Sequence, residues 1–255
     1  MTAELLPAVE IETGPNPTAT VIWLHGLGDD GHGWSEVVPA LGIPASRPTR
    51  FLFPHAPVIP VTINGGYPMP AWYDIRENDF NNRADLDGVR RSQARVEAMI
   101  LREEARGIAA RCIVLAGFSQ GGAIALHAGL RHAERLAGIV ALSAYLIAPA
   151  ALAAEASAAN CDIPIFMAHG TLDPVVQFRW AELSRQALVR GRIRGRVAHL
   201  PDAALGGARG DRGGRRVPHP RARLVIAALP RFFPMPRRHS ALREARCAAE
   251  TRFAR

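Results

Sequence analysis

A serine stands between glycines in Gly117-Phe118-Ser119-Gln120-Gly121, with an apolar run leading into it and an Ala-rich segment following. A hydroxyl in that setting suits nucleophilic attack on an acyl carbon. In a strand–turn–helix elbow the serine sits on a strained turn, and small neighbours are needed because backbone crowds it from both sides. The following helix points its amino end at the reacting centre, where it favours developing negative charge. A Gly-rich loop can carry the same spacing. The readable strand before it and helix after it favour the nucleophile.

A serine hydroxyl needs a base to take its proton, and the base needs a partner to hold its tautomer. In elbow enzymes the chain order is serine, acid, histidine. The acid candidate is Asp173 in HGTLDPVV (169–176), in a turn just past an apolar run. An Asx turn ahead of a proline would also account for an aspartate there. Asp162 precedes the same run and so falls at the opposite edge. The oxyanion formed by attack needs pre-positioned N–H donors. Gln120, next after the nucleophile, supplies one. Leu27 in His25-Gly26-Leu27-Gly28 is the choice for the other, although that stretch alone reads only as a tight turn.

These residues need elements to place them. Residues 18–25 (TATVIWLH) form a nearly continuous apolar run, as expected for a strand buried on both faces. Residues 34–41 read as a short helix and 50–53 as a strand. Residues 58–85 show little periodicity and read as a long ordered loop of the kind that carries function. The best helix is 86–106, with Leu86, Val89, Val96 and Ile100 on one face, Gln93 the break in it and Gly107 the stop. Strands at 111–117, 138–143 and 163–169 alternate with helices at 121–132 and 178–189. That alternation predicts an α/β fold, a mostly parallel sheet with helices on both faces and its active site at the carboxyl ends of the strands. Ser119, Leu27 and Asp173 each follow a predicted strand, so all three fall on that edge.

Composition bounds the alternatives. With 255 residues and 48% hydrophobic content the chain can bury one large core, and no apolar run reaches the roughly 20 residues that span a bilayer. The first fifteen residues carry acids and no basic run before an apolar stretch, which does not read as a secretory leader. Cys112, Cys161 and Cys247 are odd in number and lack metal-ligand spacing, so a reduced, cytoplasmic protein is expected. Charge is divided unevenly. Residues 190–255 hold 17 of the 31 basic residues, all arginine, and 4 of the 23 acids, a net of +13 against −5 for residues 1–189. The chain therefore reads as a domain over 1–189 and an Arg/Gly/Pro-rich tail over 190–255.

Residues 19–189 resemble the bacterial carboxylesterases related to acyl-protein thioesterases and lysophospholipases. The matching blocks are VIWLHGLGDDGHGW (21–34), FLFPHAP (51–57), VTINGGYPMPAWYDI (61–75), LAGFSQGGAIALH (115–127) and HGTLDPVV (169–176). The resemblance implies an α/β-hydrolase fold and ester or thioester hydrolysis without metal or organic cofactor. It implies Ser119 as nucleophile, Asp173 as triad acid, and the Leu27 and Gln120 amides as oxyanion donors. Trp72 in the PAWYDI block would line the acyl or alcohol pocket; plain packing of a loop is the competing account. The short stretch between residues 143 and 173 leaves no room for a large lid. An open groove for short to medium acyl esters is expected, with lysophospholipid and acyl-protein substrates and a homodimer left open.

The resemblance also implies a histidine after Asp173 in a motif Tyr-Pro-Met-x-His. At the corresponding distance stands Pro201-Asp202-Ala203-Ala204-Leu205, without a histidine. His199 is the nearest substitute, but it lacks the motif. Abundant arginine and glycine with no lysine point to a GC-rich gene, whose shifted frames read as Arg, Gly, Ala and Pro. For one choice of synonymous codons, residues 196–205 (RVAHLPDAAL) read one base on give Glu-Trp-His-Thr-Tyr-Pro-Met-Pro-His. The tail is therefore expected to leave the family's frame near residues 190–193, to lack the last strand, last helix and base, and to be poorly ordered.

Two other readings compete. The arginine-rich tail could neutralise phosphates as a nucleic-acid-binding module, but it lacks interleaved aromatics and any helix-turn-helix or zinc pattern. A non-catalytic relative could bind acyl chains without cleaving them. The reading carried forward is a cofactor-free serine hydrolase acting on a small ester, without nucleic acid. The nucleotide sequence across codons 188–206 should yield the Tyr-Pro-Met-x-His peptide in a second frame; codons that cannot do so contradict the frame reading.

Overall fold

The computed structural model describes residues 4–77, 85–191 and 193. His199 and the whole of the tail beyond residue 193 lie outside the described residues. Six strands make the main sheet: β1 (Ala8–Glu12), β2 (Ala19–Leu24), β3 (Thr49–Pro54), β6 (Ile113–Phe118), β7 (Gly138–Leu142) and β8 (Ile165–Ala168). A separate hairpin pairs β4 (Val58–Val61) with β5 (Tyr67–Pro70). The helices are α1 (His32–Ser35), α2 (Leu86–Ala105), α3 (Gln120–Arg131), α4 (Leu152–Glu155) and α5 (Phe178–Arg190). Strand order is β1-β3-β2-β6-β7-β8, parallel throughout except for antiparallel β1 at the edge.

The continuous apolar runs are explained by burial on both faces. Along β2, Val21 and Trp23 pack with Phe51, Phe53, Val114 and Trp34 on one side. Ile22 and Leu24 pack with Leu52, Leu115 and the α2 residues Val96, Met99 and Ile100 on the other. Among the described residues no helix is long and apolar enough to cross a membrane.

Three sequence expectations are corrected. Residues 34–41 are not one helix but the short α1 followed by a 3₁₀ turn, Val38–Leu41, with Pro39 in its first turn. The stretch 58–85 is not all loop, because its prolines suit a hairpin. Val58↔Pro70 and Pro60↔Pro68 alternate with Ile59↔Met69 and Val61↔Tyr67, so every proline falls in a non-hydrogen-bonded pair. Pro57 O accepts from Ala71 N–H at 3.0 Å, which fixes that phase. Leu86 does not join the buried face of α2; it opens the helix and is 41% exposed.

Strand β1 had no counterpart in the sequence reading; no apolar pattern announces it because it is a half-exposed edge carrying Glu10 and Glu12. Those carboxylates meet Arg50 on the neighbouring strand, at 3.1 and 2.9 Å. Arg50 Nη1 reaches Glu103 Oε2 at 2.8 Å, and Thr20 Oγ1 donates to the same oxygen at 2.7 Å. Arg106 closes the cluster on Glu103 and Glu10, at 3.0 and 2.6 Å. Glu103 is fully buried, so its charge depends on these partners. Glu103→Ala removes the buried acceptor of Arg50 Nη1 and Thr20 Oγ1 and should lower stability by about 3–5 kcal/mol, read as a shift of the urea unfolding midpoint. A shift indistinguishable from zero contradicts the assignment.

Candidate active site

The sheet delivers Ser119 at the carboxyl end of β6 with φ 52 and ψ −119. Left-handed backbone is uncommon for a side chain with a Cβ, and the surroundings over-determine it here. Ser119 N–H donates to Leu142 O at the end of β7 (2.8 Å), and Ser119 C=O accepts from Ala123 N–H in the first turn of α3 (3.0 Å). The glycines are packing requirements. A Cβ on Gly121 would collide with the carbonyl oxygens of Leu24 and His25, and one on Gly117 would collide with the Gly121 backbone. The serine itself is half-buried, at the mouth of the turn.

The edge continues strand by strand. Ser143 N–H donates to Ala168 O at the end of β8 (2.8 Å), and the chain then turns through Gly170 to Asp173. Asp173 Oδ1 accepts from Val175 N–H and Val176 N–H, at 2.9 and 3.0 Å, an Asx turn that fixes the carboxylate. Oδ2 lies 3.8 Å from His169 Nε2, which donates instead to Val176 O at 2.5 Å. Ser119 and Asp173 thus follow β6 and β8, strands separated only by β7, at the same edge of the sheet. His169 is 2% exposed and belongs to the turn. Asp162 precedes β8, on the opposite edge.

The two expected oxyanion donors follow neighbouring strands, Leu27 after β2 and Gln120 after β6. Gln120 is the first residue of α3, so its N–H has no partner within the helix. Leu27 lies in the turn after β2, between Gly26, whose C=O accepts from Asp29 N–H (3.2 Å), and Gly28, whose N–H donates to Pro70 O (2.9 Å). Trp72 is 1% exposed, with its indole N–H on His25 O at 2.8 Å and its ring 5.2 Å from the His25 ring. Gln120 Oε1 accepts from Trp72 N–H (2.9 Å) and Nε2 donates to Tyr73 O (2.7 Å). Sequence reasoning named the Gln120 backbone but missed its side chain, and missed His25 as a structural partner. Their only sequence signal was position inside the HGLG and GFSQGG blocks.

A cavity of about 380 Å³ opens on the far side of α3, lined by Arg90, Gln93, His127, Arg131 and Glu155 among others, and includes neither Ser119 nor Asp173. Burial, with help from the Arg131 charge, lowers the His127 pKa to about 4. Among the described residues no cluster of His, Cys, Asp or Glu could hold a metal ion.

The sequence model of the phospholipase/carboxylesterase family matches residues 7–204. Acyl-protein thioesterase 1 of Yarrowia lipolytica is 41% identical over 185 residues, covering 72% of this chain and 82% of that protein. Acyl-protein thioesterase 1 of Neurospora crassa is 43% identical over 192 residues, covering 72% and 76%. The crystal structure of Zea mays acyl-protein thioesterase 2 superposes with a TM-score of 0.70 at 26% identity, covering 89% of this chain and all of that one. The chain thus belongs to the phospholipase/carboxylesterase family of α/β-hydrolases, serine hydrolases that cleave esters and thioesters. The qualifier "bacterial" is corrected: these relatives are eukaryotic, two from fungi and one from a plant.

Because His127 is held neutral, the unfolded chain binds a proton there that the folded chain does not once pH falls below about 6.5. Stability should therefore fall between pH 6.5 and 4, by up to about 3 kcal/mol from this group. Urea unfolding of His127→Gln should show that much less acid loss than the parent; equal acid loss contradicts the assignment.

Proposed function

We propose that Ser119 is the nucleophile, that Asp173 orients the base, and that the amides of Leu27 and Gln120 stabilise the oxyanion. The observation that carries this reading is the strained Ser119 turn at the head of α3, with the Asp173 carboxylate fixed on the same sheet edge. The substrate class is a carboxylic ester or thioester of short to medium acyl length. The names of the fungal relatives favour acyl-protein thioesters within that class. The protein works in the cytoplasm, on a small or protein-borne acyl group and without nucleic acid, and a homodimer is compatible with this reading. In this reading Trp72 borders the acyl or alcohol pocket, from a buried position beside His25.

The base is the open element. His199 is the nearest candidate after Asp173, and the sequence around it departs from the family's motif. We therefore propose that the tail beyond residue 190 is out of frame and leaves the chain without its family base. Loss of one triad member costs about 10⁴–10⁶ in kcat, with oxyanion donors and binding supplying what remains.

Hydrolysis of p-nitrophenyl esters from acetate to octanoate tests this directly. Expected are weak turnover, its loss in Ser119→Ala, and no change in His199→Ala. Family-level turnover abolished by His199→Ala would make His199 the base and overturn the out-of-frame reading. Turnover untouched by Ser119→Ala would overturn the nucleophile.

A further inference from the structure

Both candidate oxyanion donors are backbone N–H groups, and a trans peptide is a rigid plane in which N–H and C=O point in opposite directions. Whatever grips the carbonyl therefore aims the N–H. For Gln120 the gripping is ordinary helix bonding: the Ser119 carbonyl accepts from Ala123 N–H, so the Gln120 N–H projects out of the helix end. Leu27 has no helix to do this. Its peptide partner, Gly26 C=O, accepts instead from His25 Nδ1 at 2.7 Å, as well as from Asp29 N–H.

The imidazole has a single tautomer that fits. Gly26 O can only accept, so Nδ1 carries the proton; Ala56 N–H can only donate, and it does so to Nε2 at 3.0 Å. The ring is 1% exposed, and burial lowers its pKa, which keeps it neutral. The His25 carbonyl is held in turn by the Trp72 indole N–H. The peptides on either side of Trp72 are both fixed, the one before it through the Trp72 N–H to Gln120 Oε1 and the one after it through the Trp72 C=O, which accepts from Ser92 Oγ. The chain of bonds thus returns to Gln120, whose own N–H is the second donor.

We propose that His25 and Trp72 are positioning residues: through the Gly26 carbonyl they aim the Leu27 N–H, and through the Gln120 side chain they hold it in register with the Gln120 N–H. The proposal rests on Leu27 and Gln120 being the oxyanion donors. It assigns Trp72 a task separate from lining the pocket. One buried indole N–H, bonded to the His25 carbonyl, sets the aim of a catalytic amide.

Trp72→Phe in the full chain removes that N–H and keeps an aromatic ring. Two readouts are taken: reaction of Ser119 with a fluorophosphonate probe, resolved into kinact and KI, and amide hydrogen exchange. Removing an oxyanion donor outright costs about 10²–10³ in rate. Mis-aiming one should lower kinact about 10- to 100-fold with KI unchanged, while the Asp29 N–H, which is bonded to the same Gly26 carbonyl, exchanges about tenfold faster and the β2 amides keep their protection. Parental kinact, or parental exchange at Asp29, overturns the proposal. A parent chain that fails to label is what the missing base alone would give; Asp29 exchange then decides the positioning claim by itself, faster exchange supporting it and parental exchange overturning it. If β2 also loses protection, Ser92→Ala, which frees the Trp72 carbonyl and leaves its ring in place, is read by the same two measurements and the same criteria.

Discussion

The amino end of α3 lies directly against the carbonyl oxygens of Leu24 and His25, with no room for a side chain between them. That contact, made possible by Gly121, fixes how closely α3 approaches the paired ends of β2 and β6. The remaining features of the site follow from it. Ser119 is driven into left-handed backbone because the chain must leave β6 and enter a helix already pressed on the sheet. The Gln120 amide points outward because its carbonyl neighbour has entered the helix. The turn after β2 is brought close enough for Gln120, Trp72 and His25 to link the two sides.

The network at the other end of the strands does different work. Glu103, Arg50, Thr20 and Arg106 tie α2 to β1, β2 and β3 at the amino ends of β2 and β3. A buried ion cluster of this kind is weak evidence of net stability, because desolvation offsets most of its attraction. It does constrain register: β1 can pair with β3 only where Glu10 and Glu12 meet Arg50. The sheet is thereby closed at its antiparallel edge by charge, and across its parallel strands by apolar packing.

How much of this was readable in advance depended on how local the cause was. The buried strands were legible because continuous apolar runs have few other uses, and Ser119 and Asp173 because each stands in a turn directly after such a run. β1 was not, since an edge strand whose acids pair with Arg50 on the next strand shows no apolar run. The β4–β5 hairpin was masked by prolines that only a pairing register makes harmless. The side-chain roles of His25, Trp72 and Gln120 connect residues up to 48 positions apart, and no spacing rule reaches that far. The tail differs in charge, +13 over residues 190–255 against −5 over 1–189, and lacks the Tyr-Pro-Met-x-His motif; the break read from these lies outside the described residues.

The central claim is that the elbow serine is the reactive group of a pre-formed site, whatever the fate of the base. Peptide mapping by mass spectrometry after exposure to a fluorophosphonate tests it most directly. The account predicts a single adduct, on the peptide bearing Ser119, that is absent after the protein is unfolded in urea before labelling. An adduct on another residue, or equal labelling of folded and unfolded chain, would contradict it.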